Sequence, residues 1–201
     1  VELMAEKVKE VIDALKLEKI NLLGHSLGGY VSLAFAEKFP EILESMTLFF
    51  STTVADDEEK KAIRTRSIAV IDENFETFVK TSIPNLFSNN EKDILEGKIE
   101  LAKNIAKSTN KEGVKAAQLG MAERPDRTEI LENLDAKILI IAGKYDNAVK
   151  TENLLKIIPE KTNIKTYVLD CGHNGHWEKP TICAEIINTE LLHNLPKHFL
   201  L

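Results

Sequence analysis

The chain has 201 residues, 43% hydrophobic and 29% charged, a composition that suits one globular domain with a substantial core and argues against disorder. A net charge of −6, without a basic run or basic-aromatic alternation, argues against a nucleic-acid partner. No apolar stretch approaches the roughly 20 residues of a membrane span, and the start, Val1-Glu2-Leu3-Met4-Ala5-Glu6-Lys7, lacks a signal-peptide pattern, so the chain reads as cytoplasmic.

Taken in order, residues 2–16 read as a helix with Met4, Val8, Val11, Ile12 and Leu15 on one face. Residues 19–23 form a short apolar strand that leads into Gly24-His25-Ser26-Leu27-Gly28. Residues 27–39 follow as a helix whose apolar face carries Val31, Leu33, Ala34, Phe35 and Phe39, stopped at Pro40. A serine between two such elements sits on a strained strand-to-helix turn. Side chains two positions to either side would crowd the backbone there, which accounts for Gly24 and Gly28. Residues 45–50 give the next strand.

From Val54 to Asn133 the pattern changes to Lys- and Glu-rich helical segments broken at Pro84 and Asn89-Asn90, with no clear strand. The acidic stretch at its start reads as solvated. Alternation resumes with a strand at 137–142, a helix near 148–158, a strand at 164–169, and a final helix carrying Ile182, Ile186, Ile187, Leu191 and Leu195. The near-continuous Ile/Leu runs suit a parallel sheet covered on both faces. The expected architecture is α/β, mainly parallel, with a core from 1–53 and 134–201 and a helical lid from 54–133. Cys171 and Cys183 form no CxxC or zinc framework and read as reduced, partly buried thiols, although a disulfide stays open.

A serine hydroxyl becomes a nucleophile when a base takes its proton, and a histidine oriented by a carboxylate is the usual solution. Of the five histidines, His173 follows the 164–169 strand on a loop at the carboxyl edge of the sheet, where Ser26 also falls. His176 is the rival on the same loop. His25 is the variable position of the turn, and His193 and His198 lie on or after the last helix. The His173/His176 spacing lacks a convincing third ligand or an HExxH helix, so no metal is expected. The carboxylate should end another strand, which points to Asp146 in Gly143-Lys144-Tyr145-Asp146. Asp146 could equally cap the next helix. Asp56 and Asp57 are runners-up in a stretch expected to be exposed, and Asp170 is too near His173 in sequence to aim at its ring.

The order Ser26, Asp146, His173 resembles that of the α/β-hydrolase superfamily, in its lid-bearing single-domain branch. The likeness rests on Gly-His-Ser-Leu-Gly-Gly at 24–29, Arg124-Pro125-Asp126-Arg127, Gly-Lys-Tyr-Asp at 143–146 and Gly-His-Asn-Gly-His-Trp-Glu-Lys-Pro at 172–180. The resemblance covers nearly the whole chain. It implies His173 rather than His176 as base, Glu178 and Pro180 as structural residues launching the last helix, and the Leu27 N–H as one oxyanion donor. It implies earlier strands and a glycine-rich oxyanion loop, whereas no glycine precedes Gly24. The serine strand would then lie at an uncovered sheet edge, and an N-terminal portion is expected to be missing.

The implied activity is cofactor-free hydrolysis of a carboxylic ester or similar acyl bond in a small-molecule substrate, with Phe49, Phe50, Ser51 and Thr52 either lining the acyl pocket or belonging to the core. C–C bond hydrolysis, thioester or lactone cleavage, acyl transfer and perhydrolysis use the same triad, and a weakly catalytic ligand receptor is the alternative outside enzymes. Dehalogenase and epoxide hydrolase chemistry is disfavoured, since it needs Asp where Ser26 stands.

Overall fold

The computed structural model describes residues 1–192. The elements run α1 (Glu2–Ala14), β1 (Ile20–His25), α2 (Leu27–Lys38), β2 (Leu43–Phe49), α3 (Glu58–Glu73), α4 (Phe75–Ser82), α5 (Lys92–Lys107), α6 (Lys111–Ala122), α7 (Glu129–Asn133), β3 (Lys137–Gly143), α8 (Thr151–Leu155), β4 (Ile164–Leu169), α9 (Gly175–Glu178) and α10 (Pro180–Ile187). The four strands form a parallel sheet in the order β1-β2-β3-β4. Among the described residues β1 is therefore an edge strand, with Leu23 39% exposed.

The unbroken apolar run of β3 follows from burial on both faces. Side chains alternate along a strand, so Ile138, Ile140 and Ala142 enter one core with Leu33 and Phe35 of α2 and Met46 and Leu48 of β2. Leu139 and Ile141 enter the other, with Phe49, Leu169, Cys171, Cys183 and Ile186. Both thiols are free and buried. A third, smaller cluster of Phe87, Leu95 and Ile99 packs against Trp177 and so ties the helical block to the loop after β4.

Several expectations need adjustment. Helix α1 ends at Ala14, and Lys16 turns the chain with φ 53°. Its buried face is Ala5 and Ile12, backed by Val1 and Val8, while Met4, Val11 and Leu15 are exposed. Strand β1 continues to His25 because the ladder pairs Gly24 with Leu48 and His25 with Phe49. The helix after β3 is shorter than expected, Thr151–Leu155. At the end of the chain α10 passes into a π-helical turn at Asn188–Leu192. The expected Leu195, and His193 and His198, lie outside the described residues.

Residues 54–133 hold α3 to α7. The segment Arg124-Pro125-Asp126-Arg127 stitches this block to the core: Arg127 pairs with Glu2 at 2.8 Å and Glu37 at 2.9 Å, and its N–H donates to the Thr53 carbonyl.

Candidate active site

Ser26 stands between β1 and α2 with φ 52° and ψ −115°, a conformation that costs a non-glycine residue on the order of 1–3 kcal/mol. Three hydrogen bonds hold it. Its N–H donates to the Phe49 carbonyl at 3.0 Å, while its own carbonyl accepts from Gly29 N–H at 2.9 Å and from Ser51 Oγ at 2.8 Å.

The glycines serve this turn unequally. A Cβ on Gly24 would lie 2.2 Å from the Gly28 carbonyl oxygen, so strand and helix backbones touch there. A Cβ on Gly29 would strike Ser51 at 2.3 Å, whereas one on Gly28 would meet nothing within 4 Å. The crowding expected at Gly28 thus falls on Gly29, because the helix turns Gly28 outward.

The loop after β4 carries His173 to the serine. Ser26 Oγ donates to His173 Nε2 at 2.7 Å, and His173 Nδ1–H donates to Asp146 Oδ2 at 2.8 Å. The tautomer follows from the partners, since an ionised carboxylate can only accept. Asp146 Oδ1 accepts from the N–H groups of Ala148 and Val149 at 2.8 and 2.9 Å. Asp146 therefore braces a turn and holds His173 together. It does not cap α8, whose N-cap is Lys150.

Glu178 does more than launch the last helix. Its buried carboxylate accepts from Gly172 N–H at 3.0 Å and Ser88 N–H at 3.2 Å, fixing the backbone beside His173 to the helical block. Burial raises the Glu178 pKa, against the pull of those N–H groups. Pro180 opens α10.

The rival groups lie off the line from Ser26 through His173 to Asp146. His25 Nε2–H donates to the His173 carbonyl at 3.1 Å, and burial lowers its pKa to about 4. The His176 ring sits 4.7 Å from that of His25, and its buried Nδ1 has no hydrogen-bond partner among the described residues. Burial lowers its pKa too. Asp56 is not exposed as expected: it is buried and pairs with Arg64 and, at 2.9 Å, with Arg124. Asp57 caps α3, accepting from Lys60 N–H at 2.8 Å. Asp170 is exposed and pairs with Lys144 at 3.3 Å. Burial pushes the Cys171 thiol far up and the Cys183 thiol to about 11, which leaves both protonated and unreactive.

A cavity of about 560 Å³ opens onto Ser26, Leu27 and His173. The Leu27 N–H, first in α2, has no backbone acceptor among the described residues. The remaining walls come largely from the helical block, including Phe75, Phe78 and Val79 of α4 and Val114, Ala117 and Met121 of α6. Phe49, Phe50, Ser51 and Thr52 take no part in the lining. Phe49 and Phe50 are core, and Ser51 braces the Ser26 turn. Arg64 and Gln118, which also line the cavity, carried no local sequence signal.

Comparison with known proteins bears on the family and the fold. Residues 2–180 match the family described as alpha/beta hydrolase fold. The 2-hydroxy-6-oxononadienedioate/2-hydroxy-6-oxononatrienedioate hydrolase of Escherichia coli (strain K12) is 27% identical over 187 residues, covering 88% of this chain and 64% of that protein. The 2-hydroxy-6-oxo-6-phenylhexa-2,4-dienoate hydrolase of Comamonas testosteroni is 27% identical over 186 residues, covering 87% and 63%. The chain thus spans slightly less than two thirds of the length of these two relatives. Among known structures, a thermophilic esterase from Thermogutta terrifontis, malate bound, superposes with TM-score 0.87 at 31% identity, covering 94% of this chain and 70% of that one. The enol-lactonase from Burkholderia xenovorans LB400 shares the fold, with TM-score 0.84 at 17% identity and coverage of 94% and 71%.

Proposed function

The chain belongs to the alpha/beta hydrolase fold family, and from that premise we propose that it hydrolyses a carboxylic ester or similar acyl bond with Ser26, His173 and Asp146 as its catalytic triad. The observation that carries this reading is the continuous line from Ser26 Oγ through the His173 ring to Asp146 at 2.7 and 2.8 Å. Ser26 attacks the acyl carbon while His173 Nε2 takes its proton, and Asp146 stabilises the resulting imidazolium. The tetrahedral oxyanion forms against the Leu27 N–H. His173 then protonates the leaving alkoxide. Water, deprotonated by His173, attacks the acyl-enzyme, releasing the acid and restoring Ser26. Acyl and proton transfers balance among these groups, so the steps require no cofactor or metal.

Residues 54–133 serve as the lid over this site, a reading supported by the α4 and α6 side chains that wall the Ser26 cavity. C–C bond hydrolysis on the same triad is the second reading, supported by the named activities of the two bacterial relatives. The free thiols favour a reducing compartment, the cytoplasm.

Labelling with a fluorophosphonate, followed by turnover of 4-nitrophenyl esters, tests the proposal. Wild type should label and turn over, and Ser26→Ala should do neither. Labelling that persists in folded Ser26→Ala overturns the assignment, and labelling without turnover favours a receptor.

A further inference from the structure

The walls of the Ser26 cavity are mainly apolar, but three polar side chains, Tyr30, Arg64 and Gln118, meet it without full partners. Arg64 donates through Nε to Asp56 and through Nη1 to Gln118 Oε1 at 3.1 Å, and among the described residues nothing accepts from its Nη2. The Tyr30 hydroxyl likewise has no partner among the described residues' side-chain hydrogen bonds, although the residue is 6% exposed. Tyr30 follows Ser26 by four positions on α2, about 6 Å along the helix at 1.5 Å per residue. The Arg124 guanidinium lies 3.9 Å from the Tyr30 ring centre, on the face of the phenol.

Arg64 brings a positive charge to the cavity wall. One buried carboxylate, Asp56, faces two guanidiniums, Arg64 and Arg124. The remaining partners of Arg124 are neutral carbonyls, those of Met121 at 2.6 Å and Val54 at 2.8 Å. No Asp or Glu lines the cavity. Arg124 and Asp56 form a buried pair of opposite charge, whereas Arg64 is only partly buried and lines the cavity; an Arg edge offering a free N–H there suits a carboxylate.

We propose that Arg64, with Tyr30 and Gln118, forms an anion subsite that selects substrates whose acyl chain ends in a carboxylate, such as monoesters of short dicarboxylic acids. This rests on Ser26 being the nucleophile of an ester hydrolase. Ester hydrolysis would then occur at one end of the cavity while Arg64 holds the far carboxylate and sets the reach between them.

The test compares 4-nitrophenyl monoesters of succinic, glutaric and adipic acids with the butyrate, pentanoate and hexanoate esters in the same protein. Wild type should show kcat/KM at least about tenfold higher for the charged member of one pair, a discrimination of roughly 1.4 kcal/mol. Arg64→Gln should collapse that ratio, Arg64→Lys should restore part of it, and Arg64→Glu should invert it. The ratio within each variant cancels any general loss of fold or triad function. Glutarate should also inhibit butyrate hydrolysis in wild type more strongly than in Arg64→Gln. A wild-type ratio near one in every pair, or a ratio unchanged in Arg64→Gln, overturns the subsite while leaving the hydrolase intact. Failure to turn over either member, with no fluorophosphonate labelling, instead overturns the hydrolase reading itself.

Discussion

Replacing Asp146 with Asn separates holding the loop from orienting the base. In the wild-type site Oδ1 accepts from two backbone N–H groups and Oδ2 from His173 Nδ1–H. An amide has one oxygen, so it can serve only one side. Turning its NH2 toward Ala148 and Val149 would leave both N–H groups facing a donor, the buried Val149 N–H alone costing about 1–3 kcal/mol. The other orientation keeps both of those bonds and points NH2 at the imidazole, which adapts by moving its proton to Nε2. That orientation is therefore the one expected. The fold survives, with a melting temperature within a few degrees of wild type, but His173 now presents a donor to Ser26 Oγ and cannot take its proton. Loss of the correct tautomer in such triads lowers kcat by roughly 10³–10⁴, equivalent to about 4–5.5 kcal/mol of barrier. Steady-state turnover of a 4-nitrophenyl ester, alongside thermal unfolding followed by circular dichroism, measures both quantities. A folded Asp146→Asn protein whose kcat lies within tenfold of wild type refutes the argument.

His173→Ala should abolish turnover and His176→Ala should leave it measurable, as read by the same assay on folded variants; the reverse pattern would move the base to His176. Gly24→Ala should destabilise the protein by about 1–3 kcal/mol or more by overpacking, since its Cβ would lie 2.2 Å from backbone. Gly28→Ala should be neutral or stabilising by up to about 1 kcal/mol through helix propensity, and thermal unfolding of the pair decides whether the contact is as described. His25 sets an acid limit. Its folded pKa of about 4 lies below the unfolded value of 6.5, so the unfolded chain binds the proton first as pH falls. Its contribution is complete above 6.5 and is lost progressively toward 4, reaching about 2 kcal/mol at pH 5. Urea unfolding at pH 7 and pH 5 should therefore show a loss about 2 kcal/mol smaller in His25→Asn than in wild type, and equal losses would contradict the burial argument.

Local pattern was enough to make the sheet legible, and to single out the three side chains that the structure brings within hydrogen-bond reach of one another. The apolar run of β3 announces a strand buried on both faces because side chains alternate every residue. The carboxyl ends of β1, β3 and β4 bring Ser26, Asp146 and His173 to one edge, since parallel strands all end on the same side. Boundaries were harder: the helix pattern could not show that Met4 and Val11 of α1, and Leu15 just past its end, stay exposed, because periodicity marks a face without saying whether another element covers it.

Tertiary structure alone decided the rest. An Asp at the head of an acidic run looks like any solvated charge, yet Asp56 is buried between Arg64, two turns into α3, and Arg124, which is distant in sequence. The cavity wall belongs to α4 and α6 rather than to Phe49 and Phe50, because the packing of the helical block on the sheet chooses which side chains face Ser26. Gly29, not Gly28, meets a neighbour because Ser51 arrives there from β2. Residue type and spacing determine what a short segment can do, whereas ion pairs, cavity walls and close backbone contacts arise where separate segments meet, and that meeting is a property of the packed chain.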